Sequence, residues 1–202
     1  MGADAQFNPG NDGCLSIFGA VYATGALVFP SGAHVLEIGC AEADWMTPML
    51  ALRPDLDIVG IDWRAVARPA PVVQDNVLTV DRWPAASCDA VVGISSIEHV
   101  GLGHYNDDPL DPDGDLHCME RVATWLKPGG WVYADVPYGP AYQVHGTEYR
   151  VYDESALRAR LVPAGLTLAR TWYAAWRDYT LRDTPPTDHR GMAYVALLAR
   201  KD

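Results

Sequence analysis

Lysine is almost missing from this chain. Lys127 and Lys201 are the only two among 202 residues, and the formal net charge is −11. No run of Lys and Arg offers itself to a phosphate backbone, which speaks against a nucleic-acid substrate. Cysteine is sparse as well. Cys14, Cys40, Cys88 and Cys118 are scattered with no CxxC pair, so zinc spacing is absent and a disulfide scaffold is not expected at this size. Free thiols in a reducing cytosol are the better reading. No apolar run approaches a membrane span and no charged-then-apolar leader opens the sequence, so a cytoplasmic protein without membrane contact is expected. What remains is ordinary for a folded domain: 49% hydrophobic and 20% charged residues, in a length that fits one core.

A third scarcity decides more. Two stretches, His34-Val-Leu-Glu-Ile-Gly-Cys-Ala-Glu-Ala-Asp44 and Asp57-Ile-Val-Gly-Ile-Asp62, read as buried strands, with a helix between them and a carboxylate after each. That describes a nucleotide-binding βαβ unit. A dinucleotide wants a glycine-rich turn and a helix N-terminus free to receive its pyrophosphate. This turn has Gly39 alone where three glycines are asked for, and adds Glu42 and Asp44, which would repel a phosphate. S-adenosylmethionine (SAM) has no phosphate and carries a sulfonium cation, so an acidic turn suits it. Asp62 serves either ligand through a ribose diol. A bland alternative is a strand, turn and strand of any α/β protein.

Residues 1–30 read as an N-terminal extension and 31–202 as the main domain. Met1 to Asn11 is a polar lead-in. Cys14 to Phe29 is apolar and rich in small residues, a helix lying against the sheet. The expected elements then follow in order. They are strands at Val35–Ile38, Ile58–Ile61, Pro71–Asp75, Cys88–Ile94 and Trp131–Val136, with helices at Trp45–Leu52, Leu116–Leu126 and Ser155–Leu161. Thr47-Pro48 is a plausible cap pair for the first helix. In the second, Leu116, Met119, Val122, Ala123 and Leu126 share a face, and Lys127-Pro-Gly-Gly130 stops it, with the lysine at the negative helix end. Leu166–Trp176 and Met192–Ala199 are two last strands. The loop Thr184–Gly191 is too short for a crossover helix, so they pair antiparallel.

Taken together, Glu37-Ile-Gly39, Val59-Gly-Ile-Asp62, Val73-Gln-Asp75, Cys88-Asp-Ala-Val-Val, Ile97-Glu-His-Val100, Leu126-Lys-Pro-Gly-Gly130 and Pro163-Ala-Gly165 resemble, piece by piece and in order, the class I SAM-dependent methyltransferases that act on small molecules. The resemblance covers roughly residues 33 to 200. It implies a Rossmann-like α/β fold, a seven-stranded sheet in the order 3-2-1-4-5-7-6 with strand 7 antiparallel and helices on both faces. It implies SAM as cofactor. Glu37, Gly39 and Ala41 would border the methionine end, Asp62 would bind the ribose, and Asp75 the adenine amine. Asn76 and Val77 would flank the adenine, Ile94, Ser95 and Ser96 would pass beneath the ligand, and Trp63 would cover the ring or be an ordinary tryptophan. The chain departs from the family at the Gly-x-Gly-x-Gly turn, reduced here to Gly39-Cys-Ala41-Glu-Ala43. Alanine there gives up positive φ.

Methyl transfer is an in-line displacement, and the protein aligns a nucleophile and excludes water. A hydroxyl acceptor is helped by a general base, usually His near neutral pH. His99 and His104 follow the fourth strand, where open α/β sheets hold ligands; either is a candidate base or an ordinary solvated histidine. Asp135 could pair with His99, and His145 is a third base candidate. The loop after the fifth strand reads as a substrate-facing lid through Tyr138, Tyr142, Tyr149 and Arg150, with Tyr105 from the preceding segment, because such rings stack on sugars and flat molecules. Arg150 could hold an acidic group or bridge to the acidic surface. His34 and His117 read as structural, and His189 as solvated. The acid-rich run from Asp107 to Asp115 is a capping loop or, less simply, a divalent-metal site; no metal ligand is assigned. The runs from Glu98 and Pro137 are also similar to uncharacterised bacterial methyltransferase-like proteins associated with sugar and polysaccharide genes. The expected activity is therefore methylation of a small-molecule hydroxyl, on a sugar or secondary metabolite. The rivals are a SAM-binding protein with other chemistry or a regulatory role, and an NAD(P)-dependent oxidoreductase. The tyrosines and tryptophans near the lid could equally form a homodimer face.

Overall fold

The computed structural model describes residues 29–41, 45–106, 110–175, 178–185 and 193–202. The expectations for the N-terminal lead-in, the Cys14–Phe29 helix up to residue 28, Glu42, Asp44, Asp107, Asp108 and His189 fall outside those residues.

Apolar runs buried on both faces become parallel strands: β1 (His34–Ile38), β2 (Asp57–Asp62), β4 (Cys88–Ile94) and β5 (Leu126–Tyr138), with the short, less buried β3 (Val72–Gln74) at the edge. Beyond them come the short β6 (Gln143–His145) and β7 (Tyr149–Val151), then β8 (Leu166–Ala175), β9 (Asp178–Arg182) and β10 (Ala193–Lys201). The main sheet has the order β3-β2-β1-β4-β5-β10-β8-β9. Strands β1 to β5 are parallel, and β10 runs antiparallel between β5 and β8. With β8 as the sixth strand and β10 as the seventh, this is the expected order.

Among the described residues the sheet nevertheless has eight strands. The extra one is β9, which doubles back antiparallel on the outer edge of β8. Its sequence, Asp178-Tyr-Thr-Leu-Arg182, holds enough β-forming side chains to pair once β8 offers a free edge. The β6–β7 hairpin stands apart as a second, two-stranded sheet.

Alternation along the strands divides the core in two. Leu36, Ile38, Val91 and Val132 face one side, where they meet Met119 and Val122 of α2 (Gly114–Trp125) and Leu157 and Leu161 of the last helical segment. That segment starts as α3 (Glu154–Ala156) and continues as a π-helical turn over Leu157–Leu161. Val35, Val92, Ile94 and Tyr133 face the other side, against Trp45, Met46 and Met49 at α1 (Met46–Leu52). In α2 it is Cys118, rather than Leu116, that joins Met119 and Val122 in full burial, and Leu126 belongs to β5. Trp45 holds the N-cap position of α1 with no side-chain cap, so Thr47-Pro48 lies inside the first turn. Lys127 reaches both carboxylate oxygens of Asp89 at 2.8 Å. It thereby ties the start of β5 to β4.

Candidate functional site

Between β1 and β4 the chain winds away in opposite directions, leaving a crevice at the carboxyl ends of the strands. β1 leaves this edge through Gly39, whose φ of +76° demands glycine. A Cβ there would lie 2.2 Å from Ser96 Oγ, so the turns after β1 and β4 touch without spare volume. Ala41 does not share the left-handed conformation; its N–H instead donates to Asp62 Oδ2 at 2.8 Å. The alanine in place of a second glycine therefore costs this turn nothing. Arg68, which sequence reasoning missed, donates to the carbonyls of Cys40 and Ala41 at 3.0 and 2.8 Å and holds the turn from behind.

The crevice opens into a cleft of about 320 Å³. Its walls bring together Gly39, Asp62, Trp63, Asp75, Asn76, Val77, Ile94, Ser95 and Ser96 from the predicted cofactor set. Glu37 is buried on β1 and Ala41 touches the cleft only through Asp62, so neither is a wall residue. Asp62 is 5% exposed. Its Oδ1 accepts from the Arg64 N–H at 2.9 Å and from Arg64 Nε at 3.1 Å, while Arg64 Nη2 stands 3.5 Å from Oδ2. A carboxylate offers about four lone-pair sites, and Ala41 and Arg64 fill them, so accepting two ribose hydroxyls requires Arg64 to give up two of its bonds. Arg64 was not foreseen. Its guanidinium lies 4.0 Å above the Tyr105 ring, bridging the mouth of the cleft. Trp63 stands at the lip, 39% exposed. Asp75 Oδ1 accepts from the Asn76 N–H at 2.7 Å, and Asn76 Oδ1 accepts from the Leu78 N–H at 2.8 Å, which sets both side chains in place.

His99, His104 and Tyr105 form the far wall. His99 and His104 stack at 5.5 Å, and His104 meets Tyr105 edge-on at 4.5 Å. His99 Nδ1 sits 2.5 Å from the Glu148 carbonyl oxygen. A carbonyl only accepts, so Nδ1 carries the proton and the neutral ring keeps its lone pair on Nε2. That nitrogen lies 3.8 Å from Glu98 Oε1. Under the floor, Ser95 adopts φ +43°, rare for a residue with a side chain. It is held there by its N–H to Asp135 Oδ1 at 2.9 Å and its hydroxyl to Glu98 Oε1 at 2.8 Å. Both acids are buried, and burial raises the affinity of each for a proton. For Asp135 the charge of Glu98 adds to the rise.

Several predicted residues lie elsewhere. Asp135 is bonded to Ser95 and does not pair with His99; the carboxylate beside His99 is Glu98. Arg150 is fully buried and faces no substrate. Its guanidinium donates to the carbonyls of Glu98, Val100, Asp111 and Pro112 at 2.8 to 3.4 Å, and Nε lies 3.3 Å from Asp115. Tyr138 packs on Tyr173 and Tyr142 on Tyr152, away from the cleft. His145 is exposed and stacks on Tyr149, whose edge meets His99. The expected lid is thus reduced to Glu148 and Tyr149 behind His99. The reason is topological: Tyr152 and Gly139 bond back across the start of the segment and turn most of it onto the far core.

His34 pairs with Asp57 at 2.9 Å and His117 with Asp111 at 2.6 Å, and neither lines the cleft. In the acidic run, Asp115 is buried and takes up Arg150, Arg160 and the Tyr152 hydroxyl. Asp113 occupies the N-cap position of α2 without a side-chain capping bond; its Oδ1 instead accepts from Arg160 Nη2 at 3.0 Å. Among the described residues no group of three His, Cys, Asp or Glu is placed to hold a metal ion, and no helix is long and apolar enough to cross a membrane.

Solved structures with this architecture are class I SAM-dependent methyltransferases and their relatives. The [4+2]-cyclase SpnF superposes with a TM-score of 0.65 at 16% identity, over 92% of this chain and 79% of its own. A candidate sarcosine dimethylglycine methyltransferase from Galdieria sulphuraria gives 0.64 at 11% identity, over 92% and 83%. The O-methyltransferase of a trans-AT polyketide synthase multienzyme from Brevibacillus brevis, in complex with S-adenosyl-L-homocysteine, gives 0.59 at 13%, over 84% and 66%. At such identities the likeness is one of fold, and the fold is the class I methyltransferase fold. No curated protein matches the chain in sequence. The family model described as Caenorhabditis protein of unknown function, DUF268, matches residues 75–178, more than half of the chain, and to that family the protein belongs.

Proposed function

We propose that this protein is a SAM-dependent methyltransferase that methylates a hydroxyl of a small molecule, a sugar or other secondary metabolite. The observation that carries the reading is the cleft itself. One wall presents Asp62 and Asp75, and the opposite wall presents a histidine whose lone pair is free to take a proton. The acids suit a sulfonium cofactor, and Gly39 is the single glycine among the described residues that line the cleft, where a pyrophosphate would want a glycine-rich turn.

In this reading Asp62 binds the ribose after exchanging with Arg64. Asp75 meets the adenine amine, Asn76 and Val77 flank the ring, and Trp63 covers it. Gly39 and Ser96 let the methionine end approach the backbone, with Glu37 behind them, Ala41 holding Asp62, and Ile94 and Ser95 beneath. When bound, the cofactor supplies an electrophilic methyl group. His99 Nε2 takes the proton of the attacking hydroxyl, and the Glu148 carbonyl holds the ring in the tautomer that leaves Nε2 able to do so. His104 and Tyr105 offer rings against which the acceptor stacks. Residues 31–202 are the working domain.

A second reading keeps the cofactor and changes the chemistry, as the cyclase SpnF on the same fold illustrates. Calorimetric titration with SAM, NAD and NADP tests the cofactor first. Micromolar SAM binding that Asp62→Ala abolishes is the expected result, and methyl transfer to candidate acceptors separates the two readings. A folded protein that ignores SAM refutes both.

A further inference from the structure

Ser95 is the floor residue on which two fully buried acids converge. Glu98 is 1% exposed and Asp135 is not exposed at all. One oxygen of each is taken by Ser95, through its hydroxyl and its N–H respectively. The other oxygens, Glu98 Oε2 and Asp135 Oδ2, are buried without a hydrogen-bond partner. Two bare carboxylates do not share a dry pocket. Their mutual repulsion and the loss of water both push one of them to keep its proton.

We propose that Glu98 and Asp135 act as one buried acid pair bearing a single negative charge, with the proton on Asp135, and that this pair positions Ser95 and His99 beneath the cleft. The charge falls to Glu98 because the cation stands on its side. Arg150 donates to its backbone carbonyl at 3.2 Å, and the Ser95 hydroxyl donates to its Oε1 at 2.8 Å. Asp115 already answers Arg150 from α2, together with the Tyr152 hydroxyl bonded to it. Asp135 has only neutral neighbours of its own, the Ser95 N–H and Tyr133 from β5. A proton on Oδ2 turns one of the two orphan acceptors into a donor. It removes the second charge that would otherwise drive the acids, and with them the strained Ser95, apart. Glu98 and Asp135 are positioning residues, since neither is a wall of the cleft.

Infrared spectroscopy of the folded wild-type chain at pH 7 reads the proton directly. The expected spectrum contains the carbonyl stretch of an un-ionised, buried carboxyl group. Labelling aspartate with carbon-13 shifts this band and labelling glutamate does not, so the assignment needs no variant. Asp135→Asn removes the band. No such band in the wild type, or a band that follows glutamate, overturns the proposal. The positioning half rests on the proposed methyl transfer: Glu98→Gln lowers turnover about tenfold or more while leaving SAM affinity within about twofold of wild type. Unchanged turnover in a folded Glu98→Gln overturns that half. Because the spectra involve no cofactor, failure of the proposed function and failure of the acid pair are told apart.

Discussion

Replacing Arg150 with methionine separates a substrate-binding arginine from a structural one. The side chain is fully buried, and four backbone carbonyls from two separate segments accept its N–H groups. Methionine retains much of the volume but leaves those carbonyls without a charged donor. Breaking a buried ion pair by removing one partner costs about 3–5 kcal/mol. Asp115 keeps two bonds from Arg160 and one from Tyr152, so the low end, about 3 kcal/mol, applies. For a chain of 202 residues each kcal/mol lowers Tm by about 2–4 °C, giving a fall of roughly 6–12 °C. Thermal unfolding followed by circular dichroism measures it. Arg150→Lys, with the charge but without the planar fork, should fall between. If Arg150→Met melts within about 2 °C of wild type while an acceptor binds more weakly, the guanidinium faces substrate after all and the reasoning fails.

Gly39→Ala combines a left-handed backbone with a Cβ at 2.2 Å from Ser96 Oγ; it should destabilise by about 1–3 kcal/mol and weaken SAM binding in calorimetry, and an unaltered Kd would show that the Gly39–Ser96 contact is not part of the cofactor seat. Asp62→Asn should weaken SAM by roughly 10- to 100-fold, the worth of charge-assisted hydrogen bonds, with Trp63 fluorescence as a convenient second readout. Burial, with Glu37 and Asp62 nearby, pushes the Cys40 thiol up to about 12, and burial pushes Cys118 to about 12; at pH 8 iodoacetamide should leave both unmodified until the chain is unfolded, as peptide mapping would show. Asp135 binds its proton more tightly folded than unfolded, so its contribution to stability is complete below the ordinary carboxylate range and is lost as pH rises towards the folded value. Denaturant titrations should therefore show the gap between Asp135→Asn and wild type moving in favour of the variant with rising pH, and a gap that stays constant would contradict the shift.

The strands and the acidic wall of the cleft were legible because they depend on local rules. Val35, Leu36, Val91 and Val92 are apolar on alternating faces, Gly39 announces a tight turn, and Asp62 ends a strand that can only point to the crevice. What was not legible depends on where separate loops meet. Nothing near Arg150 in sequence says that the carbonyls of Glu98 and Pro112 will come to it. Tyr138 and Tyr142 carry the same composition cue as Tyr105, yet the hairpin turns them onto Tyr173 and Tyr152. Arg64 and Arg68 were not singled out, although a basic side chain just past a ribose-type acid is a signal that could have been read. β9 was hidden because its pairing needs an edge that exists only after β8 has docked.

The clasp at Arg150 also has an evolutionary side. Gly101 and Asp111 are joined by a backbone hydrogen bond of 2.8 Å, and the guanidinium grips Val100 and Asp111 at the two ends of the same segment. Whatever lies between those ends hangs from a fixed bracket. Lengthening such a loop costs the fold little, since closure entropy grows only slowly with length. His104 and Tyr105 ride on that loop. A change in the length of that loop would therefore move the His104–Tyr105 wall of the cleft while the sheet and the wall that carries Asp62 and Asp75 stay as they are.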